Sequence, residues 1–226
     1  MLMRRTIVSL VRLLLAAFAA RAQQTSEQMA SYYYQNKEYD KAIELYEPLY
    51  QRTQNKFYYE MLYESMVALQ RLKEAERLVE RRLKQHPADL TLYIDLGQLQ
   101  MLKGERKKAE KTMAAPLDLL GFDSQQLSDL VLAYQKAGCN DLAVQCYTTM
   151  REKTHDPLRH TLELATLYER MGNYEAMTNE YFALLDASPT QMGAVQLSLQ
   201  RALQETSSSQ LAQGLRRTIM GRIQQQ

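Results

Sequence analysis

Tryptophan is absent from this chain, and glycine and proline, the residues that most often interrupt helices, occur only eight and five times in 226 residues. Tyrosine is abundant by comparison, with 15 residues. A chain so short of helix breakers is predicted to be rich in α-helix. Its length suits one or two globular domains or one extended array.

Charge of one sign is also lacking, since the formal net charge is only +2. Arg4, Arg5, Arg12 and Arg21 all lie within the first 22 residues, which contain no acidic residue. The remaining chain therefore carries a small net negative charge. A nearly neutral body argues against nucleic acid or another polyanion as the partner.

No hydrophobic run is long enough for a membrane span. The apolar segment at residues 10–20 is interrupted by Arg12 and falls well short of the roughly 20 residues that a span needs. With its basic start and the small-x-small site ending at Ala22, the segment 1–22 is typical of a secretory signal peptide. We expect cleavage near Ala22 and an exported protein of the periplasm or cell envelope, with a retained anchor as the alternative.

Cysteine is scarce, and the two residues present are poorly placed for a disulfide. Cys139 and Cys146 are seven residues apart, with Cys146 predicted about two turns into a helix. Seven helical residues span about 10 Å, whereas a disulfide needs Cα atoms within about 7 Å. Both are therefore predicted to be small hydrophobic residues within a helix pair.

One spacing recurs along the chain. The same interval separates Leu62 from Leu96, Leu96 from Leu130 and Leu130 from Leu164. At a fixed offset after each leucine stands a second position, occupied by Ala75, Ala109, Ala143 and Met177. An earlier copy has the same offset from Met29 to Ala42. Apolar residues at i, i+3, i+4 and i+7 follow the helical period, so each copy is predicted to be a helix pair.

The recurrence predicts the organisation of the whole chain after the signal segment. Gly104 marks a tight turn between two helices, where a positive φ is costly for other residues. Pro48 is expected to kink its helix, and Pro116 to end or bend its helix early. A looser C-terminal helix pair follows, either capping the array or leading into a further region. The predicted boundaries are 23–56, 57–89, 90–123, 124–157 and 158–191 for five helix pairs, and 192–226 for the C-terminal pair.

These positions resemble the tetratricopeptide repeat family, in an exported bacterial form. The fifth copy matches its pattern at Leu164, Ala165, Tyr168, Gly172, Tyr174, Tyr181 and Pro189, and the third at Tyr93, Leu96, Gly97, Gly104 and Ala109. The departures are Met177, Tyr63, Val131 and Gln100. The resemblance implies an all-α fold, a right-handed superhelical solenoid of about five such helix pairs plus a C-terminal helix pair, with a concave groove.

In this family the groove is lined by residues of the first helix of each pair. The corresponding set runs from an acidic entrance at Glu27, through an apolar middle, to a basic exit at Lys136 and Arg170. An alternative is that Ile94, Met101 and Leu102 are simply core. The residues predicted to contact a partner are Tyr34, Glu60, Glu64, Val67, Ile94, Gln98, Met101, Leu132 and Arg159. The family's Lys/Asn carboxylate clamp is not matched, because Glu27 and Ser31 stand at its first two positions.

The second helices carry basic runs interleaved with glutamates, which favours a solvated, ion-paired surface over an anionic-membrane patch. The basic residues are Arg77, Arg81, Arg82 and Lys84 in one run and Arg106, Lys107, Lys108 and Lys111 in the other.

Catalytic signals are lacking. His155, His160 and Glu163 could be imagined as a metal site, with His160 and Glu163 one helical turn apart, but no motif supports a third ligand. No H-E-x-x-H, P-loop or G-x-S-x-G motif occurs. We therefore expect no metal and no cofactor, with a metal-dependent hydrolase or enzyme accessory as the alternative from another class.

The preferred interpretation is a non-enzymatic scaffold that binds another protein or peptide in its groove. The second is an interaction arm of a larger cell-envelope assembly or of a longer chain, docking through its C-terminal helices.

Overall fold

The computed structural model describes residues 25–205 and 208–224. The predicted signal peptide at 1–22 lies outside the described residues. Within them all regular structure is helical, which confirms the all-α prediction. The helices are α1 (25–35), α2 (Tyr39–Thr53), α3 (Lys56–Ala68), α4 (Leu72–Gln85), α5 (Thr91–Leu102), α6 (Arg106–Leu119), α7 (Ser124–Lys136), α8 (Asn140–Thr154), α9 (Thr161–Arg170), α10 (Tyr174–Ala187), α11 (Met192–Glu205) and α12 (Ser208–Gln224), with a 3-10 turn at Pro189–Gln191 before α11.

The helices form pairs, as the recurrence predicts. Successive second helices begin at evenly spaced positions, namely Leu72, Arg106, Asn140, Tyr174 and Ser208. The last of these is the start of α12, so the C-terminal pair keeps the spacing of the earlier pairs although its sequence pattern is looser. No helix among the described residues is both long enough and apolar enough to cross a membrane.

The turn inside each of the five pairs from α1–α2 to α9–α10 has the same left-handed backbone. Its φ is 61° at Lys37, 59° at Gln70, 80° at Gly104, 73° at Gly138 and 71° at Gly172. In each turn this residue and the next donate their N–H groups back to the end of the first helix, as in the 2.9 Å and 2.8 Å bonds of the Gly104 turn. Such a Schellman turn pairs carbonyls that the helix end leaves free.

The small residues of the second helices occupy equivalent, fully buried places. Ala42, Ala75, Ala109 and Ala143 have no exposed surface, and Met177 is equally buried. Each donates its N–H to the carbonyl of the residue just before its helix, at 3.0–3.2 Å. The predicted equivalence of these positions is confirmed.

The recurring leucine positions of the first helices are less uniformly buried. Leu62, Leu130 and Leu164 are buried, but Leu96 is only partly buried. Met29, the predicted first member, is largely exposed, and its neighbour Ala30 is buried instead. In the first pair it is therefore Ala30, and not Met29, that contributes to the core.

Both helical prolines are accommodated. Pro48 lies inside a continuous α2, and α6 continues past Pro116 to Leu119. Of the two outcomes expected at Pro116, an early end or a bend of the helix, the early end is wrong. A proline removes one N–H bond and its ring crowds the carbonyl four residues earlier, but Pro116 is buried, so packing offsets this cost in the last turns of α6.

The described residues form two compact units, the first ending at Lys111 and the second beginning at Thr112. The core of the first unit includes the buried tyrosines Tyr46, Tyr50, Tyr58 and Tyr59. In the second unit both cysteines are free thiols, as predicted, and Cys146 is buried.

Near the C-terminus of the second unit, Val195 and Ala202 of α11 pack with Ala165 and Tyr181 in one apolar cluster. The last helix, α12, packs against α10 nearby, and the hydroxyls of Thr178 and Thr218 lie 2.6 Å apart.

Candidate interaction surface

The first helices of the first unit lie side by side and are joined by tyrosine hydroxyls. The hydroxyl of Tyr34 on α1 donates to the carboxylate of Glu64 on α3. From α3, Tyr59 donates to Oδ2 of Asp95 on α5 at 2.6 Å, and Tyr63 donates to the backbone carbonyl of Asp95 at 3.1 Å. These bonds fix the register of the three helices against one another.

Most of the residues predicted to contact a partner in this unit are at least partly exposed. Glu60 and Glu64 are exposed, while Tyr34, Val67 and Gln98 are partly buried. The Tyr63 hydroxyl also lies 3.4 Å from the side-chain oxygen of Gln98. We call the surface formed by Tyr34, Glu60, Glu64, Val67, Gln98, Met101 and Leu102 the first-helix face.

Three apolar residues of α5 had two interpretations, groove or core, and the structure separates them. Ile94 is only 2% exposed, so it is a core residue and its prediction as a partner contact is wrong. Met101 and Leu102 are 47% and 51% exposed at the end of the same helix. Exposed large apolar side chains that lie next to each other are typical of interaction surfaces.

The second unit contains the other two predicted contacts. Leu132 is exposed on α7. Arg159 is partly buried and precedes α9, so it lies in the connection before the first helix and not on it. Its backbone carbonyl accepts a 2.9 Å bond from Nε of Arg151, whose guanidinium also pairs with Glu180 at 2.6 Å.

Asp95 is a feature that the sequence prediction missed. Burial raises its pKa to about 6, the charges of Asp89 and Glu60 add to this, and the Tyr59 hydrogen bond and the charge of Lys56 oppose it. The only sequence signal is one acidic residue in the otherwise uncharged helix Thr91–Leu102. Its partner, 36 residues away, is not marked by any motif.

Arg82 is a second missed feature. It is only 4% exposed, so the prediction that every basic residue of its run faces solvent is wrong. Its guanidinium lies over the ring of Tyr59 at 4.8 Å and near that of Tyr50 at 6.0 Å, and it donates to the carbonyl of Gln54 at 3.2 Å. Arginine suits this place because its planar group stacks on aromatic rings.

The histidines form only part of the imagined metal site. Nδ1 of His160 lies 3.5 Å from Oε1 of Glu163, and its ring packs near Tyr147 with centroids 5.5 Å apart. His155 is exposed and ends α8. Within residues 25–205 and 208–224 there is no group of three or more His, Cys, Asp or Glu side chains arranged to hold a metal ion.

Comparison with known proteins gives similarity at the level of structures alone. No family model matches the sequence, and no curated protein matches it. A tetratricopeptide repeat protein from Parabacteroides merdae is 18% identical, with 75% of this chain and 68% of that chain covered and a TM-score of 0.39. A thermophilic TPR protein from Thermus thermophilus is 18% identical over 80% and 98%, with a TM-score of 0.39. The MamA protein is 15% identical over 75% and 93%, with a TM-score of 0.37. The identification of the repeat rests on the recurring turns and buried alanines of this chain.

Proposed function

We propose that this chain, a tetratricopeptide-type repeat protein by its fold, is a non-enzymatic scaffold that binds a peptide or partner protein on the first-helix face. The observation that carries the proposal is the exposure of Met101 and Leu102 on α5, with Val67 on α3 and Tyr34 on α1 at the positions that correspond to Met101. A helix pair normally buries its apolar residues against its neighbours, so large apolar side chains left in water on this face suit a partner. The flexible Met101 can adapt its shape to that partner.

Affinity capture with a matched pair of variants tests the proposal. Met101→Glu combined with Leu102→Glu should abolish capture of partner proteins from an envelope extract while the helical circular dichroism stays unchanged. The control is Leu119→Glu combined with Phe122→Glu, which places the same two charges at exposed apolar residues at and just after the end of α6, outside the first-helix face. Capture that survives the double substitution, or that the control removes equally, would contradict the proposal.

We further propose that the chain acts in the cell envelope after export. The support is the basic, then apolar, then small-x-small order of residues 1–22. Expression in a bacterium followed by fractionation and N-terminal sequencing should give an envelope protein that begins at Gln23. A cytoplasmic protein that keeps its first residues would contradict this part of the proposal.

A second candidate function is an interaction arm that docks through the C-terminal helices. It is favoured by apolar residues that stay exposed on α11 and α12, namely Leu197 at 69% together with Met192 and Met220. Leu197→Glu should remove partner capture under this alternative and leave it unchanged under the first-helix proposal. The same capture experiment therefore separates the two surfaces.

A further inference from the structure

We propose that the segment bound by the first-helix face is a basic amphipathic peptide, whose Lys or Arg side chains contact Glu60 and Glu64 while its apolar side chains cover Met101 and Leu102. This inference rests on the proposed function and adds the chemistry of the partner.

The first argument is the separation of charge between the two kinds of helix. Helical residues 25–35, 56–68 and 91–102 carry four acidic side chains and a single basic one, Lys56. The acidic residues are Glu27, Glu60, Glu64 and Asp95. The second helices α2 and α4 together are nearly balanced, with slightly more basic than acidic residues. The net negative charge of these helices is therefore concentrated where the apolar residues are exposed.

The second argument is that these carboxylates lack cations of their own. Acids near the second helices are paired, as in Arg71–Glu74 at 2.7 Å and Lys103–Glu76 at 2.9 Å. Among the described residues no ion pair includes Glu60 or Glu64, and Lys56 lies 4.0 Å from Asp89. The face thus presents two exposed, uncompensated carboxylates, which would repel an acidic partner and attract a basic one.

The third argument is the field felt by Asp95 just beneath the face. Burial has the largest effect in raising the pKa of this carboxyl, and the negative charges of Asp89 and Glu60 raise it further. The charge of Lys56 opposes them, so two negative charges act against one positive charge at Asp95. A bound cation would reduce the repulsion between these negative charges, whereas a wholly apolar or acidic partner would not.

The apolar part of the face sets the second requirement. Met101 and Leu102 end α5, and Val67 and Tyr34 hold the positions that correspond to Met101 one and two helix pairs earlier, on α3 and α1. A partner with charge alone would leave Met101 and Leu102 in water. A helix with lysines on one side and leucines on the other satisfies both parts of the face.

Binding of defined peptides to the purified full-length chain tests the inference. The probes are fluorescein-labelled 14-residue amphipathic peptides that differ only in having Lys or Glu at every polar position between leucines. We expect the Lys/Leu peptide to bind about tenfold or more tightly than the Glu/Leu peptide, and to weaken as salt rises.

Charge-neutralising variants locate the site. Glu60→Gln with Glu64→Gln should weaken the Lys/Leu peptide about fivefold to tenfold, the effect of losing two exposed ion pairs. The control, Glu44→Gln with Glu80→Gln, removes the same charge from exposed positions of the second helices and should leave binding unchanged. Equal binding of both peptides, tighter binding of the Glu/Leu peptide, or an equal loss in the control overturns the inference.

The proposed function can stand even if this inference fails. If the Met101→Glu, Leu102→Glu variant loses its captured partner while Glu60→Gln with Glu64→Gln retains it, the face binds a partner of another charge. If neither variant changes capture, the proposed function fails as well.

Discussion

The Tyr59 hydroxyl donates a 2.6 Å hydrogen bond to the carboxylate of Asp95, joining the first helices of two neighbouring pairs. The Arg82 guanidinium lies over the same ring, 4.8 Å from the ring centre. Tyr59 therefore contacts a partly buried acid from the next helix pair and a buried base from the second helix of its own pair. Because a buried carboxylate is costly when ionised, this contact makes stability depend on pH.

Asp95 should destabilise the native fold as pH rises from about 4 to 6. Its folded pKa of about 6 exceeds the ordinary value of 3.8, so the unfolded chain releases this proton first. The stabilisation that the protonated Asp95 carboxyl gives the fold is fully present below the pKa of the unfolded chain. It is lost as the pH rises through the pKa of the folded protein. The shift corresponds to about 1–3 kcal/mol.

Urea unfolding of the wild type and Asp95→Asn at pH 4 to 7.5 measures this effect. An asparagine still accepts the Tyr59 hydrogen bond and does not ionise, so the variant should be the more stable protein at pH 7 by that amount. The advantage should vanish near pH 4. A variant that is less stable at every pH would contradict the assignment.

The five turns offer a test of backbone strain. Gln70 adopts a φ of 59° where Gly104, Gly138 and Gly172 occupy the equivalent places. Since glycine enters this region without a steric penalty, Gln70→Gly should stabilise the first unit by about 0.5–1 kcal/mol.

The reverse change should be unfavourable. A Cβ at Gly138 would meet no atom within 4 Å, so Gly138→Ala tests the backbone alone and should cost about 1 kcal/mol. The matched control is Gly193→Ala inside α11, also in open space and without a positive φ, which should stabilise its helix by a similar amount. Thermal midpoints that move in the same direction for both variants would refute the strain argument.

The recurring sequence positions made the fold predictable because close packing or a turn restricts which residue types a helix pair can accept there. A buried alanine such as Ala109 and a turn glycine such as Gly104 admit few other residues, so their spacing is visible in one sequence. Lys37 and Gln70 take the same turn without glycine, so residue type alone does not reveal them.

The candidate surface was less predictable because it depends on which side chains the neighbouring helices cover. Ile94 and Met101 lie on one helix, and the family resemblance assigned both to the groove with core as the alternative, yet only Met101 is exposed. Arg82 belongs to a basic run like other surface runs, and only its contact with Tyr59 distinguishes it. Such long-range packing leaves no local signal in the sequence.

Overpacking the alanine column tests the register of the helix pairs. Ala109 is fully buried, so Ala109→Leu must displace neighbouring side chains and should cost about 1–3 kcal/mol. The matched control is Ala187→Leu at an exposed position ending α10, where the added atoms meet solvent. Urea midpoints measure both effects. An unchanged midpoint for Ala109→Leu would show that the larger side chain fits at this position, and so that Ala109 does not lie in a close contact between helices.

The contact of α12 with α10 depends on a missing side chain at Gly214. A Cβ there would lie 2.6 Å from Cβ of Tyr174 and 3.0 Å from its backbone carbon, and backbone cannot move aside as a side-chain tip can. Gly214→Ala should therefore weaken the packing of α12 by about 1–3 kcal/mol, in spite of the higher helix propensity of alanine. Hydrogen exchange should report faster exchange in α12, with α3 and α4 unchanged. The control is Gly221→Ala, on the same helix, where an added Cβ would meet no atom within 4 Å. It should slow hydrogen exchange in α12 slightly. Equal exchange in the two variants would show that α12 does not approach α10 closely at Gly214.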